Sequence, residues 1–152
     1  MTPGGAGKDK SKAFDRVAAL ARLQQEMAEP PFHDFLRPQA VDVADDGAVT
    51  VRLPFRPEFR RRSDSPFVHG GVIASLADLT AHAAVAVQVQ RMVPTIDLRI
   101  DYLRAAPEGD LTATGRILIV GRSIGRADVE IAGTSGKILA VARGTFSTRE
   151  SE

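Results

Sequence analysis

From His69 to Asp78 the chain reads His-Gly-Gly-Val-Ile-Ala-Ser-Leu-Ala-Asp, and two kinds of chemistry fall within that stretch. Gly70 and Gly71 stand where a polar loop gives way to a long apolar segment, so their N–H groups are uncovered where a helix begins. Such groups, with the helix dipole, favour negative charge and could hold an oxyanion. Asp78 lies among Ala, Val, Leu and Ile, where a carboxylate is costly unless it is solvated, paired or used. It is the candidate general base or nucleophile, since desolvation makes a carboxylate a stronger base. The plainer alternatives are an acid held in an interface ion pair and an ordinary glycine turn.

Spacing adds a constraint. Gly70 and Asp78 are eight residues apart, about 12 Å along one helix. One carbonyl cannot lie within about 3 Å of both. If the two act together, they come from different subunits. His69 is read as positioning the loop, its ring bonding the helix start, rather than moving protons. His82, four residues after Asp78, shares its face. It could orient Asp78 or an attacking water, or simply be a satisfied buried histidine.

These residues resemble the hotdog-fold thioesterases, most closely the PaaI-like acyl-CoA branch. His69, Gly70, Gly71, Leu76 and Asp78 stand in register with its HGG-x(4)-L-x-D pattern. Thr95-Ile96-Asp97-Leu98-Arg99-Ile100-Asp101-Tyr102-Leu103-Arg104-Ala105-Ala106 matches the strand that follows, with Ala105 where proline is usual. The resemblance covers roughly residues 35 to 148. It implies hydrolysis of an acyl-CoA thioester, with coenzyme A as part of the substrate and no separate cofactor. It also implies a site built across a dimer with antiparallel central helices, Asp78 facing Gly70 of the partner, in a homodimer or homotetramer. Thr95 matches a position where some relatives use Ser to hold the water. Ser63 stands where many relatives carry Asn, and Ser63 or the adjacent Asp64 could substitute. Gly71 is a further substrate contact. Arg122, Ser123, Arg126 and Arg143 match strand edges that face coenzyme A, and arginine suits phosphate. Arg60-Arg61-Arg62 is a second candidate phosphate contact, although three loop arginines are commonly just solvated.

The elements that must position these groups are legible from periodicity. Residues 1–12, rich in Gly, Lys and Ser, read as a disordered tail. Residues 13–28 read as an amphipathic helix with Phe14, Val17, Leu20, Ala21 and Met27 on its apolar face, ended by Pro30-Pro31. Short strands at 40–43 and 48–53 flank a turn at Asp45-Asp46-Gly47. A Pro- and Arg-rich loop at 55–68 leads to a helix over 70–89, apolar nearly all round and therefore buried. Four β segments follow, near 93–104, 110–121, 125–133 and 137–148. One long helix with an antiparallel run is an α+β pattern. A single domain over 13–148, a curved sheet around one central helix, is expected.

Bulk properties narrow the function. A chain of 152 residues holds one core. A net charge of +1 provides no global field to recruit nucleic acid or an anionic membrane. With no cysteine, thiolate nucleophiles and Cys-based metal sites are excluded. The three histidines lack ligand spacing, so no metal is expected. No run of about 18 apolar residues is found, so no membrane-spanning helix is expected. The first residues lack an apolar core such as a secretory signal needs, and a cytoplasmic location is expected. Two other functions stay open: a non-hydrolytic acyl-CoA-binding module, and a hydroxyacyl-thioester dehydratase using His69 or His82 with Asp78.

Overall fold

The computed structural model describes residues 13–150, and the tail at 1–12 lies outside them. Asp15 opens helix α1 (Arg16–Ala28), its carboxylate accepting from the Ala18 N–H at 3.0 Å, as an acid at a helix N-cap does. The buried face is Ala19, Leu23, Glu26 and Met27. This corrects the expected stripe. Phe14 precedes the helix, Val17 is 81% exposed, and Ala21 faces solvent. The face that docks carries a charge, and for that reason a search for apolar residues passes over it. Pro30-Pro31 does end α1. Pro31 also opens a short helix α2 (Pro31–Leu36), taking the first position, where its missing N–H costs nothing.

Strands β1 (Gln39–Val43) and β2 (Val49–Leu53) form a hairpin, its turn held by the Asp46 side chain accepting from the Ala48 N–H at 3.0 Å. The Arg-rich loop contains one 3-10 turn, Pro57–Phe59. Helix α3 (Gly70–Val89) follows, then β3 (Thr95–Tyr102), β4 (Leu111–Val120), β5 (Ile124–Ala132) and β6 (Ile138–Ser147). The six strands run β1-β2-β4-β5-β6-β3, all neighbours antiparallel. The sheet is wrapped around α3, so the class is α+β and the architecture the hotdog arrangement.

Inward residues Val51, Leu111, Val129, Ile131 and Phe146 meet Ile73, Leu76, Ala77, Ala81 and Val85 of α3. Fully burying each large aliphatic side chain contributes about 1.5–3 kcal/mol. The contact is unusually close. A Cβ on Gly115 would lie 2.9 Å from the Thr80 carbonyl, and one on Gly125 2.7 Å from Val85 Cγ1. Glycine at these strand positions sets the distance between helix and sheet.

Length and mean hydropathy give a different answer at α3 from a count of unbroken apolar residues. By length and mean hydropathy (1.6), α3 is apolar enough to cross a membrane. Ser75, Asp78, Thr80 and His82 interrupt the unbroken run that a residue count looks for, while the average stays high. In the fold this apolarity is spent on the core, with the sheet wrapped around the helix.

The sheet is less complete at β3, which pairs only with β6. Leu98, Ile100 and Tyr102 oppose the inward residues Gly144, Ala142 and Ala140. Leu98 and Ile100 are only half-buried, and Tyr102 is 52% exposed.

Candidate active site

His69 is the N-cap of α3. Its Nδ1 accepts from the Gly71 N–H at 2.8 Å, so the ring proton sits on Nε2. The Val72 N–H donates to the His69 carbonyl at 3.0 Å. Among the described residues the Gly70 N–H has no such partner, and it remains a free donor at the positive end of a 20-residue helix. The Gly70 carbonyl accepts from the Tyr102 hydroxyl at 2.8 Å. That contact pins the helix start to the end of β3. Tyr102 is the single tyrosine of the chain; its presence in an exposed strand position is a signal that the search for acids, histidines and glycines does not weigh.

Asp78 lies two turns further on, half-buried, and accepts from the Thr95 hydroxyl at 3.1 Å. Thr95 reaches it because of a break in strand register. Thr95 opposes Phe146, whose side chain is buried against the helix, yet Asp97 opposes Thr145. One extra residue between Thr95 and Asp97 changes the parity of the strand, and this bulge turns the Thr95 side chain towards α3.

His82 shares the face of Asp78, but its nitrogens are engaged elsewhere. Nδ1 lies 3.3 Å from Glu26 Oε2, and Nε2 accepts from the Val93 N–H at 3.3 Å. Neither nitrogen is left for Asp78 or a water. Its edge packs on the Phe146 ring, centroids 5.9 Å apart. Burial holds this imidazole below its ordinary pKa, against the opposing pull of the Glu26 and Asp78 carboxylates.

The remaining expected residues separate. Ser63 is exposed on the loop, and Asp64 pairs with Arg62 at 3.1 Å. The buried loop serine is Ser65, which accepts from Arg61 Nε at 2.9 Å. Arg60 pairs with Glu108 at 2.6 Å. Arg143 is held by both oxygens of Asp128, at 2.7 and 2.9 Å, on the outer face of the sheet. Arg122 and Ser123 are exposed at the β4–β5 hairpin, and Arg126 just after it. Gly125 and Thr95 both oppose Phe146, so this hairpin lies two strand spacings, about 10 Å, from the Thr95–Asp78 pair. Among the described residues no three His, Asp or Glu side chains cluster as a metal ion would require.

Two features bear on a substrate. A cavity of about 260 Å³ opens beside the helix start, lined by Phe32, Phe35, Phe59, His69, Val72 and Ser75. The phenylalanines make much of its wall apolar, and Glu58 and Arg60 add charge to it. A stripe along α3, namely Gly71, Ala74, Ser75 and Asp78, is left only partly covered by the sheet. Its small residues permit close approach of another backbone. Ala74 is the midpoint between Gly70 and Asp78.

Comparison with known proteins agrees with this architecture. The family model described as the thioesterase superfamily matches residues 66–140. A protein of Halobacterium salinarum named as a provisional esterase is 32% identical over 144 residues, covering 88% of this chain and 94% of that one. The medium/long-chain acyl-CoA thioesterase YigI of Escherichia coli K12 is 34% identical over 94 residues, 52% of this chain and 61% of that protein. The solved structure of the PaaI protein of E. coli, from its phenylacetic acid degradation operon, superposes with a TM-score of 0.78 at 24% identity, covering 90% and 96% of the two chains. That likeness is one of fold.

Proposed function

Because this chain belongs to the thioesterase superfamily, we propose that it hydrolyses acyl-CoA thioesters at a site completed by a second copy of itself. The observation that carries the reading is the pair of chemically ready groups on α3. Asp78 is half-buried and hydrogen-bonded to Thr95, and the Gly70 N–H is free. They are about 12 Å apart along one helix. An antiparallel second α3 crossing at Ala74 would bring each Asp78 opposite Gly70 of the partner subunit. The small residues of the stripe suit that crossing, and the half-covered inward residues of β3 suit an edge-to-edge continuation of the sheet.

In this arrangement Asp78 takes a proton from a water whose oxygen attacks the thioester carbonyl carbon. The oxyanion that forms is held by the Gly70 N–H of the partner subunit and its helix dipole. Collapse breaks the C–S bond and releases the carboxylic acid and the thiol of coenzyme A, the thiolate taking up the proton that Asp78 removed. Thr95 fixes the Asp78 carboxylate and leaves Oδ2 for the water. The cavity walled by Phe32, Phe35 and Phe59 receives the apolar acyl group. Among the described residues Arg122 and Arg126 are the free candidates for the phosphates, while Arg143 is shared with Asp128.

The test is hydrolysis of a panel of short, medium, long and aromatic acyl-CoAs, with released thiol trapped by a chromogenic reagent. Wild type turns over one or more of them, and Asp78→Asn, folded and oligomeric, loses about a hundredfold or more in kcat. Full activity in Asp78→Asn would overturn the mechanism. Tight binding without turnover by wild type would favour a binding module instead.

A further inference from the structure

Glu26 is the one carboxylate among the buried residues of the described chain, 6% exposed at a core position of α1 between Leu23 and Met27. Hydrolysis as set out above gives it no task. One of its oxygens is engaged by Arg22, one turn earlier, and the other lies 3.3 Å from His82 Nδ1. Taking such charges out of water costs several kcal/mol each, and well-packed apolar residues often serve stability equally well or better. Packing alone therefore does not account for Glu26.

We propose that Glu26 is a positioning residue for the Asp78 site, acting through His82 to fix the length of chain that presents Thr95; the proposal rests on the reading of Asp78 given above. His82 Nε2 can accept from the Val93 N–H only when it carries no proton. Glu26 selects that tautomer by accepting from Nδ1–H. The chain then runs through Pro94, whose carbonyl accepts from the Ser147 N–H at 2.8 Å, to Thr95 and its 3.1 Å bond to Asp78. The bulge directly after Thr95 is where the strand changes parity. Regular pairing breaks off just after Thr95, so an anchor before the strand holds the chain on the other side of the bulge and keeps the hydroxyl where the bulge aims it. The groups facing His82 are Glu26 and Arg22 from α1, Asp78 from its own helix, His33 from α2 and the Phe146 ring from β6. Burial keeps the ring neutral, as the tautomer requires.

The experiment uses the full chain and one acyl-CoA that wild type hydrolyses. Glu26→Ala, Thr95→Val, their double variant and Asp78→Asn are compared, with 15N spectra of the His82 ring. Glu26→Ala is expected to lose the Nδ1–H form and about tenfold in kcat, with KM within about twofold. The double variant is expected to be within about twofold of Thr95→Val alone, because both changes break one chain of contacts. Losses that multiply, or an unchanged kcat with the tautomer lost, would overturn the proposal. Should Glu26→Ala fail to fold, Glu26→Gln replaces it. Its amide oxygen still accepts from Nδ1–H, so tautomer and kcat are expected near wild type. A tenfold loss of kcat with the tautomer intact would then count against the proposal. Asp78→Asn separates the two ideas: full turnover there removes the reading of Asp78, while the ring spectra still decide the link between Glu26 and His82.

Discussion

Thr95 donates its hydroxyl to Asp78 Oδ1 at 3.1 Å, and among the described residues that carboxylate accepts no other side-chain hydrogen bond. The first residue of β3 and the middle of α3 are thereby joined across the helix–sheet interface. The bond is exposed to solvent, so it adds little net stability, but it ties the carboxylate to one hydroxyl and so to one orientation. Thr95→Val is expected to lower kcat about tenfold with little change in Tm, because the site is half-open and valine fills the same volume. Thr95→Ser restores the hydroxyl and is expected to restore the rate. Equal kcat in Thr95→Val and wild type, measured on the best acyl-CoA, would remove Thr95 from the site.

The two glycines at the helix start have different tasks. A Cβ on Gly71 would lie 3.0 Å from His69 Nδ1, displacing the ring that caps the helix. Gly71→Ala is expected to cost about 1 kcal/mol of stability, the usual worth of an N-cap, read as a lower Tm. At Gly70 a Cβ would meet only the Tyr102 ring, at an ordinary 3.5 Å. Gly70 is the first helical residue, and His69 before it is extended, with ψ 136°, so proline fits the backbone there. Gly70→Pro removes the free N–H while keeping the helix. Its Tm is expected to hold and its kcat to fall about a hundredfold, as when one oxyanion donor is lost. Normal turnover in this variant would mean that the Gly70 N–H holds no oxyanion.

The shared site predicts complementation. Asp78→Asn and Gly70→Pro subunits are each expected to be nearly inactive alone. Mixed and allowed to exchange, half the dimers are heterodimers and each regains one intact site of two, about a quarter of wild-type activity. Ala74→Trp, at the expected crossing point, is expected to abolish both assembly and activity, read by sedimentation and hydrolysis on the same samples. An active monomer would leave no room for a site built from two copies.

The long helix and the strands that follow were legible because their patterns are strong. The helix expected over 70–89 is α3 at Gly70–Val89, and each of the last four strands lies within its expected segment to a residue or so. Asp78 and Gly70 stood out because each is unusual where it falls. What stayed hidden depends on tertiary contacts. The α1 face could not be chosen while Glu26 counted as a surface charge, since only its contacts with His82 and Arg22 explain its burial. Thr95 faces Asp78 through a bulge, and strict alternation with Leu98 would have pointed it outward. Arg143 matched a coenzyme A position in sequence, yet its cross-strand neighbour is Asp128, which binds it. Strand register, invisible in one sequence, decides such pairings.

His82 is expected to make the fold sensitive to mild acid. Burial lowers its folded pKa from the ordinary 6.5, while the unfolded chain keeps the ordinary value. Between the two, the unfolded state binds a proton that the folded state does not, so stability rises with pH across that window. The contribution is full above about pH 6.5 and is lost as pH falls from there towards the folded value. Protonation would also turn Nε2 into a donor facing the Val93 N–H, breaking the contact that leads to Thr95. Wild type is therefore expected to lose Tm between pH 7.5 and 5.5 more steeply than His82→Gln, which has no proton to gain. Most carboxylates titrate below this range, and the difference between the two curves cancels the other histidines. Parallel curves would show that His82 carries no burial penalty, and the neutral ring on which the Glu26 argument stands would lose its support.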